Sequence, residues 1–181
     1  EIAVIMPGQF FVCSEPMIVY TVLGSCVSVC IRDTLLGIGG MNHFMLPEPQ
    51  GEGRHDSWGE STRYGSYAME SLINGVLTRG GHRSRLEIKV FGGGRIFEGK
   101  IDVGARNVAW ALHYLQEEGL NITSRDVGEV YPRKVYYFTD SGRVLLKKLM
   151  KVTNSTISDR EAEYRRSLRQ QETQTTDITL F

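Results

Sequence analysis

The sequence has no surplus of charge of either sign: 21 Lys plus Arg stand against 21 Asp plus Glu in 181 residues. Binding to a nucleic-acid backbone or an anionic membrane draws on a basic excess, so neither partner is expected. No apolar run approaches the ~18 residues that cross a bilayer. The stretch starting at Glu1 also lacks a basic segment followed by an apolar one. Cysteine is scarce: Cys13, Cys26 and Cys30 cannot all pair within one chain, and their spacing is not that of a disulfide scaffold. Free thiols and a reducing compartment follow. There is no internal repeat or low-complexity block. What remains, 41% hydrophobic residues and 20 glycines, is an ordinary globular composition, enough for one domain and a tail.

Periodicity divides the chain. Residues 17–20 and 26–31 are apolar and β-branched, and 37–46 form a second apolar run after the polar break Asp33-Thr34. Strands are expected, with the 26–31 and 37–46 runs pairing as an antiparallel hairpin. Residues 47–61 carry prolines, glycines and charge without a period, as a binding or rim loop would. Tyr64, Met69, Leu72, Ile73 and Val76 fall at helical spacing before Gly80-Gly81. A second helix covers about 105–118, with Val108, Leu112 and Leu115 as its stripe and Gly119 as its cap. Residues 86–91 read as a strand, and 135–138 with 143–149 as a terminal hairpin. The expected class is α+β: two main helices packed on one side of a mostly antiparallel sheet. A domain of residues 1–151 is followed by a polar tail, 152–181. Residues 159–171 of that tail can form a polar helix with little to bury beyond Tyr164 and Leu168, so the segment reads as either mobile or docking.

The chemistry concentrates in residues 21–47. A hairpin turning symmetrically about Thr34 and Leu35 sets Arg32 opposite Gly37, and Cys26 opposite His43. Directly opposed side chains stand close enough for a thiol and an imidazole to bond. The imidazole then accepts the thiol proton and stabilises the thiolate. Gly24, before Ser25 and Cys26, lets backbone approach a substrate, and the amides near Cys26 can line an oxyanion site. On spacing alone, a Cys-His dyad stands beside the plainer alternative of a buried cysteine and a satisfied core histidine. Zinc is disfavoured: on an extended strand the Cα atoms of Cys26 and Cys30 lie about 13 Å apart, whereas shared zinc needs adjacent thiols. No metal and no cofactor is expected.

Weaker patterns take structural readings. Gly92-Gly93-Gly94 with Arg95 lacks the Lys-Ser/Thr of a phosphate loop, and reads as a tight turn passing near the site. His55, His82 and His113 have no companions at ligand spacing. Arg106-Asn107 suits a loop anchor or helix cap, and Trp58 suits either burial or a partner contact.

Leu23-Gly24-Ser25-Cys26-Val27, Asn42-His43-Phe44-Met45-Leu46-Pro47, Phe91-Gly92-Gly93-Gly94 and Gly104-Ala105-Arg106-Asn107 together make the sequence resemble CheD, the chemoreceptor glutamine deamidases of bacterial chemotaxis. The resemblance spans about 150 residues and continues in the Ile178 to Phe181 ending. It implies a layered α/β/β sandwich similar to the catalytic domain of cytotoxic necrotising factor toxins, with Cys26 as nucleophile and His43 as general base. The family's third member is a threonine on the preceding strand. One familiar pattern places it six residues before the cysteine, where Tyr20 stands; Thr21 lies five before, and fits only if the turn at Gly24 absorbs a change of face. The implied activity is cytoplasmic conversion of receptor glutamines to glutamate. The implied partners are the helices of methyl-accepting chemotaxis receptors and a CheC-type phosphatase. Two alternatives stay open: a non-catalytic adaptor, and a cysteine hydrolase for another amide or ester.

Overall fold

A computed structural model describes residues 1–47, 62–150 and 155–175. The expected rim loop 47–61 falls, but for Pro47, outside the described residues, as do His55, Trp58 and the 178–181 ending. Nine strands and three helices follow in the order β1 Ile2–Val4, β2 Phe10–Cys13, β3 Ile18–Leu23, β4 Val27–Asp33, β5 Gly39–Asn42, α1 Thr62–Leu77, β6 Leu86–Gly92, α2 Val103–Glu117, β7 Ile122–Val127, β8 Arg133–Phe138, β9 Val144–Lys148 and α3 Thr156–Thr175.

The α+β class holds, but among the described residues there are two sheets where periodicity predicted one, in the orders β1-β3-β8-β9 and β2-β5-β4-β6-β7, and α3 adds a third helix to the two main ones expected. The β1–β3 and β6–β7 pairings are parallel and the rest antiparallel. Strand β4 explains the layering. Its Val27, Val29 and Ile31 pack with Met69 and Leu72 of α1 and Trp110 and Leu115 of α2. Cys30, on the opposite face, packs with Val19 and Leu23 of β3 and Val135 and Tyr137 of β8. A strand buried on both faces reads as a continuous apolar run, without the polar alternation of an outer sheet. Each Val, Leu or Ile fully buried here contributes about 1.5–3 kcal/mol.

Helix α1 forms where its apolar spacing placed it and ends before Gly80, at φ 99°. Helix α2 starts on Asp102, whose carboxylate accepts from Ala105 N at 2.9 Å, and terminates at Gly119, at φ 65°. Its buried face is rotated from the expected stripe: Asn107, Trp110 and Ala111 are buried with Leu115, while Val108 and Leu112 are only partly covered. Strand β7, Ile-Thr-Ser-Arg-Asp-Val, lies at a sheet edge with its centre exposed, so it carries no apolar period to read.

The β4–β5 hairpin forms in a different register from the symmetric one. Cys30 pairs with Met41, Ile31 with Gly40, and Val27 with Phe44. The connection is four residues, 34–37, because the Asp33 carboxylate accepts from Leu35 N at 2.9 Å and Leu36 N at 3.0 Å, and Gly37 takes φ 70°. Cys26 is therefore not directly opposite His43. The slip is two residues, so both side chains stay on the same face, as diagonal neighbours.

Candidate active site

Three segments converge on the layer between the sheets. On β3 the burial alternates so that Val19, Thr21 and Leu23 point inward, while Tyr20 turns to the other face and its ring lies 4.6 Å from that of Tyr136. Thr21, not Tyr20, thus shares a face with Cys26 and His43. The Thr21 hydroxyl donates to the Ile5 carbonyl at 2.8 Å and stands 2.7 Å from His43 Nδ1. A hydroxyl has one proton, and the carbonyl can only accept it, so Nδ1 carries the hydrogen toward Thr21. The lone pair is left on Nε2, which is buried and has no hydrogen-bond partner among the described residues. The backbone of His43 is pinned as well: its N–H donates to Gln9 O at 2.9 Å, and its carbonyl accepts from Gly8 N at 2.8 Å.

Cys26 is fully buried in the turn between β3 and β4. That turn is held from behind. Gly93 N donates to Cys26 O at 2.7 Å and Gly94 N to Gly24 O at 2.8 Å, so the triple glycine does pass close beneath the site, its amides spent on the turn. Asn107, buried on α2, donates to Ser25 O at 2.9 Å and accepts from Leu46 N at 2.9 Å. It is the loop anchor, tying the cysteine turn to the segment after His43.

The amides of the turn face the cleft, and a side chain that sequence reasoning missed fills it. Glu161 of α3, 1% exposed, accepts from Gly24 N and Ser25 N at 2.7 Å each, from Ser25 Oγ at 2.6 Å, and from Cys26 N at 3.3 Å. Donor atoms of Cys26, His43 and Glu161 all lie within 4.8 Å of one another. No motif marks Glu161 in the sequence; only the fold brings it to the cysteine turn.

The electrostatics disfavour charge on either group. Burial, then the charge and hydrogen bonding of Glu161, push the Cys26 thiol well up. Burial, with the nearby Arg160 cation, lowers His43 to about 3. Both groups are neutral at physiological pH. Cys26, His43 and Glu161 are metal-ligand types. Both Glu161 oxygens, however, already accept N–H bonds, an arrangement suited to an anion, and a cation would have to break them. Cys30 lies on the strand beyond and is outside this group. Of the other histidines, His82 caps a short 3₁₀ turn and His113 is exposed on α2.

No helix of the described residues is long and apolar enough to cross a membrane. The family model for CheD chemotactic sensory transduction matches residues 45–148, more than half of the chain. A probable chemoreceptor glutamine deamidase CheD of Halorhodospira halophila is 49% identical over 99% of this chain and 84% of its own length. Proteins of the same description from Methylobacillus flagellatus and a Janthinobacterium species are each 47% identical, over 93% and 100% of this chain and 84% and 89% of their own lengths. With a family model and near-full-length relatives in agreement on a chain that sets a buried thiol beside an imidazole, this protein belongs to the CheD family.

Proposed function

We propose that the chain is a chemoreceptor glutamine deamidase working through Cys26, His43 and Thr21. The observation that carries this reading is the buried His43 ring, whose Nδ1 is engaged by Thr21 while Nε2 keeps a free lone pair, and which has a nitrogen within 4.8 Å of the Cys26 thiol. The Cys26 proton passes to Nε2 as sulfur attacks the side-chain carboxamide carbon. The amides of Gly24, Ser25 and Cys26 receive the developing oxyanion. The imidazolium returns its proton to the departing ammonia. His43 then takes a proton from water, whose oxygen attacks the thioester carbon, and the proton goes back to sulfur as the glutamate carboxylate leaves.

The substrate on this reading is glutamine on the cytoplasmic helices of methyl-accepting receptors, and the enzyme is cytoplasmic. Each turnover adds a negative charge to a helix surface, which changes repulsion between neighbours. Residues 1–151 form the hydrolase unit, akin in fold to the cytotoxic necrotising factor catalytic domain, and a CheC-type phosphatase would compete for the same face. Incubation with a receptor cytoplasmic fragment from the same organism should release ammonia and raise the receptor mass by the amide-to-acid increment, and Cys26→Ala should abolish both. An unchanged receptor mass with the wild-type enzyme would leave the non-catalytic adaptor as the better account.

A further inference from the structure

Helix α3 is polar almost throughout, yet it lies on the catalytic turn. Its buried side chains among the described residues lie on one stripe. Glu161 is buried in the amide nest, Leu168 is 2% exposed in the core between the sheets, and Tyr164 packs against that core. The turn and the N-terminal segment are shaped to admit it. A Cβ on Gly24 would collide with Ile96 Cδ1 and stand 2.9 Å from Glu161 Oε2, and one on Gly8 would stand 2.8 Å from the Tyr164 hydroxyl oxygen. Clefts flank the helix on both sides, one lined by Arg95, Ile96, Tyr131 and Ile157, the other by Gly8, Phe44, Tyr64 and Leu168.

A carboxylate on a two-methylene stem, held by three successive amides and a hydroxyl beside the nucleophile, is the functional group that hydrolysis of glutamine leaves behind. We propose that α3 is an internal product mimic: Glu161 occupies the position of the glutamate side chain formed by the reaction, and a substrate enters by displacing α3 with a helix that presents glutamine. This rests on the deamidase reading for its chemistry, but not for the occlusion. Glu161 is a poor candidate for a working member of the catalytic set. Thr21 already fixes the imidazole at Nδ1, and a carboxylate beside the sulfur opposes thiolate formation. The helix is suited to leave, because so few of its side chains are buried.

Two readouts on the full-length protein test this. First, Cys26 alkylation by iodoacetamide is compared in wild type, Glu161→Ala and Leu168→Asp, with Cys30 labelling as the internal report of global opening, since Cys30 is fully buried. Both variants should label at Cys26 at least about tenfold faster with Cys30 still protected. Equal Cys26 rates would overturn the occlusion. Second, Glu161→Gln places a glutamine in the same position. Its carboxamide should be converted: the Cys26 sulfur bonds to the carbon, ammonia leaves with a proton from His43, and water restores the thiol and leaves Glu161. Peptide mass should show conversion at position 161, and none when Cys26→Ala is added. A Glu161→Gln protein that deamidates receptor while its own position-161 carboxamide stays intact would overturn the product-mimic assignment. Fast Cys26 labelling in the variants with neither the receptor nor the position-161 carboxamide converted would instead overturn the deamidase reading and leave α3 as a plug.

Discussion

Thr21 donates its only proton to the Ile5 carbonyl and therefore meets His43 Nδ1, 2.7 Å away, as an acceptor. The tautomer of His43 is set by a hydroxyl whose own direction is set by backbone. Thr21→Val removes that acceptor and should lower kcat about 10–100-fold with little change in KM, whereas Thr21→Ser should retain most of the activity. Steady-state kinetics on a receptor fragment distinguishes the two; a Thr21→Ser variant as weak as Thr21→Val would argue for packing as the role of this residue.

Stability should depend on pH through His43. Its folded pKa, about 3, lies below the ordinary 6.5, so the unfolded chain binds the extra proton first. The stabilisation is complete above about pH 6.5 and declines on acidification by up to about 1.4 kcal/mol per pH unit. Denaturant unfolding between pH 4.5 and 6.5 should show this slope in wild type, and His43→Gln should flatten it.

Asp33 locks the four-residue connection of the β4–β5 hairpin. Burial alone would raise its pKa, but Arg85, with an ion pair at 2.8 Å, and the N–H groups of Leu36, His82 and Leu35 hold it well below the usual carboxylate range. Asp33→Ala should cost about 1–3 kcal/mol, read as a lower denaturation midpoint at pH 7. Below about pH 4, where the unfolded chain takes up this proton, the gap between the two proteins should narrow.

Asn107 satisfies two buried backbone groups with one side chain, Ser25 O and Leu46 N. Asn107→Leu leaves both unpaired and should cost about 2–4 kcal/mol. Asn107→Asp keeps the acceptor for Leu46 N; protonated, its hydroxyl can donate to Ser25 O, whereas ionised it sets a buried charge against that carbonyl. In thermal melts the deficit of Asn107→Asp relative to wild type should therefore be smaller at pH 5 than at pH 8, and that of Asn107→Leu should not change.

The thiol–imidazole pairing was legible for a reason that survives an error. The symmetric hairpin placed Cys26 directly opposite His43. The real connection is two residues longer, because the Asp33 side chain caps Leu35 and Leu36. Side chains alternate with period two along a strand, so a slip of two preserves the face and turns a direct pair into a diagonal one. Thr21 was legible from the resemblance, while the distinction from Tyr20 had to wait for the burial of β3. The separation into two sheets was harder to read: β3, β8 and β9 were expected as strands, but the pairing of β3 with β8 joins segments far apart in the sequence. Glu161 could not be read at all. Apart from the Ser25 hydroxyl, its partners are main-chain N–H groups more than 130 positions away, and those leave no trace in side-chain chemistry.

The bonds behind the cysteine turn have a geometric result on its other side. A trans peptide is planar, with its carbonyl and N–H pointing in opposite directions. Gly94 fixes the carbonyl of Gly24, and so aims the N–H of Ser25, which belongs to the same plane, away from Gly94 and into the cleft. Asn107 does the same through the Ser25 carbonyl for the N–H of Cys26. The triple glycine and the α2 asparagine thus act as a rear scaffold for the anion site. On the proposed mechanism, its dipoles would stand in their final orientation before a negative oxygen forms, sparing the reaction the reorganisation that water would need.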